Sequence, residues 1–209
     1  MRRELVLALV CGCSLPGVDL EGQYVRVAAD PGLEPCGGTL AHMDAFVARV
    51  AEEFGVAPPT GNDRIKFYWL EESRVKRKCR REVEGCALGS KKVYSKKAPL
   101  NHELVHSLAA RWGRHPPFFQ EGLAVAFEGL GKGVALELEY LVWEDVSSVE
   151  VEADMLSAES LDVDYATAGA FIHFLVERHG TGAVLSTIKR LPVKASRADI
   201  NGAFQAGLG

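Results

Sequence analysis

His102-Glu103-Leu104-Val105-His106 lies between Ala98-Pro99-Leu100-Asn101 and Ser107-Leu108-Ala109-Ala110. The flanks are apolar and helix-compatible, with a proline near the start, where a helix N-terminus tolerates one. On a helix, His102 and His106 are four residues apart and leave the same face. That is the spacing at which two imidazole nitrogens can hold one Zn²⁺. Glu103 stands beside the pair without joining it, placed to take a proton from a water at the metal. A histidine pair at helical spacing also occurs as ordinary core or surface, so the reading depends on whether a third ligand follows.

Residues 116–130 read Pro-Pro-Phe-Phe-Gln-Glu-Gly-Leu-Ala-Val-Ala-Phe-Glu-Gly-Leu. The two prolines end a loop, and a second helix is expected after them, with apolar Phe118, Phe119, Leu123, Val125, Ala126 and Phe127. Glu121 is expected in its first turn, inside an otherwise apolar run. A buried carboxylate is costly unless it is paired or metal-bound, and a zinc ion on His102 and His106 would compensate it. Fourteen residues separate His106 from Glu121, enough for a helix end, a turn and a return. Glu128, seven residues on, shares the face of Glu121 and competes with it as third ligand. As the alternative to a ligand role, Glu128 would orient a ligand histidine through its other nitrogen or sit at the helix surface. Gly122 would let another backbone approach closely.

The pair of blocks, His102 to His106 and Gln120 to Glu128, resembles the gluzincin metallopeptidases, the clan of thermolysin-like and aminopeptidase N-like enzymes. The second block is similar to the Asn-Glu-Gly-Phe-Ala pattern of the aminopeptidase branch, and closer to small bacterial peptidase MA-like domains with a Glu-Gly-Leu-Ala block. The resemblance covers about residues 98–130, is looser from Tyr165 onward and is absent from the first 60. It implies a zincin-like fold for the second half, His102, His106 and Glu121 as zinc ligands, and Glu103 as catalytic base. No Gly-x-Met-Glu-Asn type of block precedes residue 98, which argues against recognition of a free N-terminus.

Tyr165 opens a third helical pattern, with Ala168, Phe171, Ile172, Leu175 and Val176 on one stripe and Gly180 as its stop. Zinc peptidases place a donor opposite the metal to stabilise the developing oxyanion. Tyr165 and His173 are the candidates, Tyr165 ahead. His42, His115 and His179 show no ligand spacing, and surface or capping roles suffice for them.

Working towards the N-terminus, 23–28 alternates as a strand. Thr39 is expected to cap a helix to about Phe54 through Leu40, Met43, Phe46, Val47 and Val50. Residues 55–61 form a loop and 65–70 a strand. The 73–97 stretch is basic, with a short strand at Val93-Tyr94 expected to form one wall of a cleft. Residues 134–151 are ambiguous, and 155–160 form a short helical piece. Helices at about 181–191 and around 200–204 close the chain. The expected fold is α+β: a small N-terminal strand and helix layer at 14–97, then a mainly helical metal-binding part at 98–209, together one compact catalytic domain.

The 209 residues are 47% hydrophobic and 25% charged, enough to bury a core without disulfides. A net charge of −4 argues against a nucleic-acid partner. The average hides a polarity: 74–97 holds ten Lys or Arg against two Glu, and 137–164 ten Asp or Glu with no base. These read as two solvated surfaces, or as flanks of a cleft that selects charged substrates. Residues 1–13 resemble a short bacterial lipoprotein signal, with Arg2 and Arg3, an apolar run, and Cys13 as the lipid site that would attach the protein to a membrane after export. The run is too short to span one; without export the same residues would be the first strand of a cytoplasmic protein. Cys79 and Cys86 could close a small disulfide loop in an oxidising compartment, with Cys36 able to replace either. The function expected is hydrolysis of a peptide or protein substrate. The alternatives are a catalytically silent zinc-binding or interaction domain, and a zinc hydrolase of a non-peptide amide.

Overall fold

The computed structural model describes residues 20–129 and 165–209. The leader expected at 1–13, the segments expected at 134–151 and 155–160, and the acidic stretch 137–164 lie outside the described residues. No helix among the described residues is long and apolar enough to cross a membrane.

The fold is mixed α+β, with a five-stranded sheet in the N-terminal part and seven helices among the described residues. The strands are β1 (Leu20–Glu21), β2 (Val25–Ala29), β3 (Ile65–Trp69), β4 (Gly85–Ala87) and β5 (Lys92–Ser95). Their order is β1-β2-β3-β5-β4. The three inner strands run parallel, and each outer strand is antiparallel to its neighbour. Helix α1 (Gly37–Glu53) supplies the crossover that parallel β2 and β3 require. Its buried Met43, Phe46, Val47 and Val50 recur at helical spacing and meet Val25, Val27, Ile65, Phe67 and Val93 from one face of the sheet. The opposite face carries a smaller cluster of Leu70, Val75, Cys86 and Tyr94. Helix α2 (Glu72–Cys79) contributes Val75 to it, and Tyr68 stacks on Tyr94 with ring centroids 5.0 Å apart.

The remaining helices are α3 (Asn101–Ala109), α4 (Pro117–Glu128), α5 (Tyr165–His179), α6 (Thr181–Ile188) and α7 (Arg197–Leu208). One hydrophobic cluster joins them to the sheet, running from Val25 and Phe67 through Leu104, Leu108, Phe119 and Leu123 to Ile172, Leu185 and Ile200. Helices α4 and α5 approach closely because each offers a glycine. A Cβ on Gly122 would lie 2.6 Å from the Ala168 carbonyl oxygen, and one on Gly169 would lie 2.3 Å from Val125 Cγ1.

Three details differ from expectation. The cap of α1 is Cys36 rather than Thr39, whose hydroxyl instead lies 3.0 Å from Cys36 Sγ inside the first turn. Helix α2 and strand β4 form within the basic stretch. Glu121 lies just beyond the first turn of α4, which begins with Pro117 at its first position. The expected pairing of Cys79 with Cys86 is present, and Cys36 is free and exposed.

Candidate metal centre

Helix α3 delivers His102 and His106 one turn apart on a single face, and α4 returns against it carrying Glu121. Tertiary packing brings three potential ligand atoms together. His102 Nε2 and His106 Nε2 are 3.1 Å apart, and Glu121 Oε2 is 3.2 Å from the first and 3.1 Å from the second. A tetrahedral zinc site with bonds of about 2.0 to 2.1 Å has edges of about 3.3 Å, so the triangle has the size such a site needs. The donor set fits as well. Two imidazole nitrogens facing one carboxylate oxygen at these distances concentrate lone pairs that a shared cation satisfies better than separate protons do. His102, His106 and Glu121 are the metal-capable group among the described residues.

Glu128 takes the outer position. Its Oε2 lies 3.0 Å from His102 Nδ1, which leaves Nε2 to face Glu121 and His106. A carboxylate on the far nitrogen orients an imidazole ligand and raises its basicity. Asn101 reinforces this junction, donating to the Glu128 carbonyl at 3.1 Å while its Oδ1 lies 3.3 Å from His42 Nε2. His42, assigned no site role in the sequence, thus ties α1 to the start of α3.

The electrostatics follow from these contacts. Burial disfavours a charge on His102, but the carboxylates of Glu121 and Glu128 outweigh it and push its pKa up to about 10. Burial would raise Glu121, but its hydrogen bonds to His102 and His106 dominate and bring it down to about 2. Glu103, only 8% exposed, is displaced upward from the ordinary carboxylate range. Burial is the main cause and Glu121 adds to it, while the two histidines and the Ala87 backbone amide pull the other way.

These groups open onto a cleft of about 970 Å³. One wall is β4 with its approaches, Val83 to Gly89. The strand expected there, Val93-Tyr94, is instead interior to the sheet, between β3 and β4. Strand β4 packs tightly over α3: a Cβ on Gly85 would lie 2.6 Å from Leu100 Cδ2 and 3.3 Å from Glu103 Cγ. The disulfide to Cys79 fastens this strand to the end of α2.

Tyr165 lines the cleft, 43% exposed, with its ring centroid 6.0 Å from that of His102. Burial, then the charge of Glu121, raises its pKa; Arg81 opposes this and Glu103 adds the least. His173 does not line the cleft; eight residues along α5 amount to about 12 Å of rise, and its Nε2 lies 3.6 Å from Glu177. His115 is 2% exposed and lines the cleft, contrary to the surface role expected. It precedes the Pro116-Pro117 corner, and Gln120 donates to its carbonyl oxygen. Arg81 and Arg114, also unassigned in the sequence, line the same space.

No protein-family model, curated protein or solved structure matches this chain.

Proposed function

We propose that the protein is a zinc-dependent peptidase. The observation that carries this reading is the convergence of His102, His106 and Glu121 at 3.1 to 3.2 Å with a buried carboxylate, Glu103, beside them and not among them. A purely structural zinc site needs no such fourth acid. His102, His106 and Glu121 would hold the zinc, which when bound polarises a carbonyl and makes water a better acid.

Glu103 then accepts the proton of the attacking water on its carboxylate and delivers it to the leaving nitrogen. A carboxyl displaced upward by burial suits both transfers better than an ordinary one, because its proton affinity lies nearer the working pH. The Ala87 backbone amide, on β4, favours the charged form of this carboxylate. The raised Tyr165 phenol keeps its proton and can donate a hydrogen bond to the oxygen on which negative charge develops. A peptide is favoured over other amides by β4. It is the outermost strand of the sheet, no strand among the described residues pairs with its outer side, and it runs beside the cleft. An extended chain can add to such an edge through backbone hydrogen bonds.

The test combines zinc analysis with digestion of a mixed peptide library. The native protein should bind one zinc and cut peptides in a chelator-sensitive manner. Glu103→Gln should keep the zinc and lose at least about 100-fold in rate. Full activity in Glu103→Gln would remove Glu103 from this role, and unchanged zinc content in Glu121→Ala would remove Glu121 from the ligand set.

A further inference from the structure

The fold sorts the basic stretch 74–97 into used and unused charges. Arg74 pairs with Asp30, Lys76 with Glu82, Lys91 with Asp63, Lys96 with Glu72 and Glu84, and Lys97 with Glu84. Lys78 lies over the Tyr94 ring. Arg81 has a different environment. Arg80 adopts a left-handed conformation, φ 59°, that ends α2 and turns the chain towards β4. Arg81 follows this turn and lines the cleft, close enough for its charge to act on the Tyr165 phenol. Arg114 reaches the same cleft from the loop between α3 and α4. Both are exposed, and neither forms an ion pair among the described residues.

The carboxylates lining the cleft are already engaged. Glu84 faces Lys96 and Lys97, Glu121 faces both histidines, and Glu128 faces His102. Glu103 is the buried base. Among the described residues, the charge left over for a ligand is therefore positive and comes from two guanidinium groups on separate segments. A guanidinium presents a planar fork of donors that matches a carboxylate in two parallel hydrogen bonds. Low-dielectric cleft walls strengthen such a field beyond that of an open surface.

We propose that Arg81 and Arg114 are specificity residues that bind substrate carboxylates, so that the cleft prefers peptides bearing Asp or Glu near the bond to be cut. The cutting rests on the peptidase reading; the recognition does not. A side chain or a peptide's own C-terminus could supply the carboxylate, and the two sources are separable.

The experiment uses full-length, zinc-loaded Glu103→Gln protein, so that binding is read without turnover, by fluorescence anisotropy of labelled peptides. One peptide carries Glu and Asp with an amidated C-terminus, a second replaces them with Gln and Asn, and a third is the neutral peptide with a free C-terminus. The acidic peptide should bind at least about tenfold tighter than its neutral counterpart, with the advantage shrinking as salt rises. Arg81→Gln and Arg114→Gln should each reduce the advantage, and the double variant should abolish it. Arg81→Lys should restore part of it. A guanidinium-dependent gain seen with the third peptide would assign the carboxylate to the chain end. Equal binding of the first two peptides with no gain for the third, or an acid preference that survives the double variant, would overturn the proposal. In parallel the native protein is given the same peptides. Preferential binding without cleavage would refute the peptidase reading and leave the recognition standing; cleavage without preference would do the reverse.

Discussion

Glu128 is the side chain whose removal tests the centre most directly. Its Oε2 is 3.0 Å from His102 Nδ1, while Glu121 Oε2 is 3.2 Å from Nε2 of the same ring. With a carboxylate on each nitrogen, His102 has its pKa pushed up to about 10 despite burial. In chelator-treated protein at pH 8 this ring should be about 99% protonated, against about 3% for an ordinary histidine with a pKa of about 6.5. Zinc requires the neutral ring. At pH 7 the proton to be displaced is held about three pH units too tightly, a cost of about 4 kcal/mol at roughly 1.4 kcal/mol per unit. Zinc affinity should therefore rise about tenfold per pH unit between 7 and about 10 from this group alone. Glu128→Gln keeps the shape and removes the charge. It should lower the His102 pKa in the zinc-free protein and weaken zinc binding by about 10- to 100-fold at high pH, where only loss of the orienting anion counts. Towards pH 7 the deficit should shrink, because the native protein alone bears the full proton displacement. Nitrogen-15 NMR of the imidazoles in chelated protein and competitive zinc titrations at pH 7, 8 and 9 measure both effects. If every histidine of the zinc-free native protein is neutral at pH 8, or the Glu128→Gln deficit is the same at each pH, the reasoning fails.

Three further outcomes are expected. Burial and, to a lesser extent, the Lys189 charge hold His115 below its ordinary pKa, with the Leu191 carbonyl opposing in part; the unfolded chain then binds a proton that the folded one does not. Stability should be complete above about pH 6.5 and fall below it by at most about 1.4 kcal/mol per pH unit, and His115→Gln should flatten that limb in denaturant titrations across pH 5 to 7. Gly122→Ala should destabilise by about 1 to 3 kcal/mol and weaken zinc binding, because its Cβ would meet the Ala168 carbonyl at 2.6 Å and push α4 off α5, shifting Glu121 relative to the histidines of α3; a melt and a zinc titration both as in the native protein would refute this packing. Replacing both Cys79 and Cys86 with Ser opens a loop of seven-residue separation and should cost about 2.5 kcal/mol on the chain-entropy estimate. That variant should keep its zinc, since no ligand lies on the loop, and lose peptidase rate as β4 loosens over Glu103; thermal melts, metal analysis and the digest check the three parts.

The donor atoms were the legible part of the site. Helical periodicity alone places His102 and His106 on one face, and the cost of burying a carboxylate in an apolar run marks Glu121. The choice between Glu121 and Glu128 was not settled by spacing, because both lie on one face of α4. It depends on how α4 is rotated, which its close packing on α5 constrains through Gly122 of α4 and Gly169 of α5. In the structure both acids reach His102, one at each nitrogen, so each has a place. His115 was misjudged because its neighbours Gly113 and Arg114 are exposed loop residues, while the fold closes over its ring between Trp112 and the end of α6.

The walls of the cleft were the illegible part, for a common physical reason. Strand β4 is three residues, Gly85-Cys86-Ala87, too short to show an alternation. Its extended conformation comes from pairing with β5 and from the tie to Cys79, both outside the strand's own three residues. Helix α2 has eight residues and buries only Val75, below the length at which a helix is stable by itself. It is held by contacts with Leu70 and Tyr94 and by the Arg74 pair with Asp30. Nothing in the local composition of a run dense in lysine and arginine announces either element. Yet these two elements decide which of the ten cations face the cleft, because Arg81, just after the turn at Arg80 between them, lines it while the pairs at Lys76, Lys96 and Lys97 stay with their own carboxylates. A charge run read as one surface is thus divided by tertiary structure into a neutralised face and a guanidinium that lines the cleft. On the proposed reading, substrate choice follows from that division rather than from His102, His106 and Glu121.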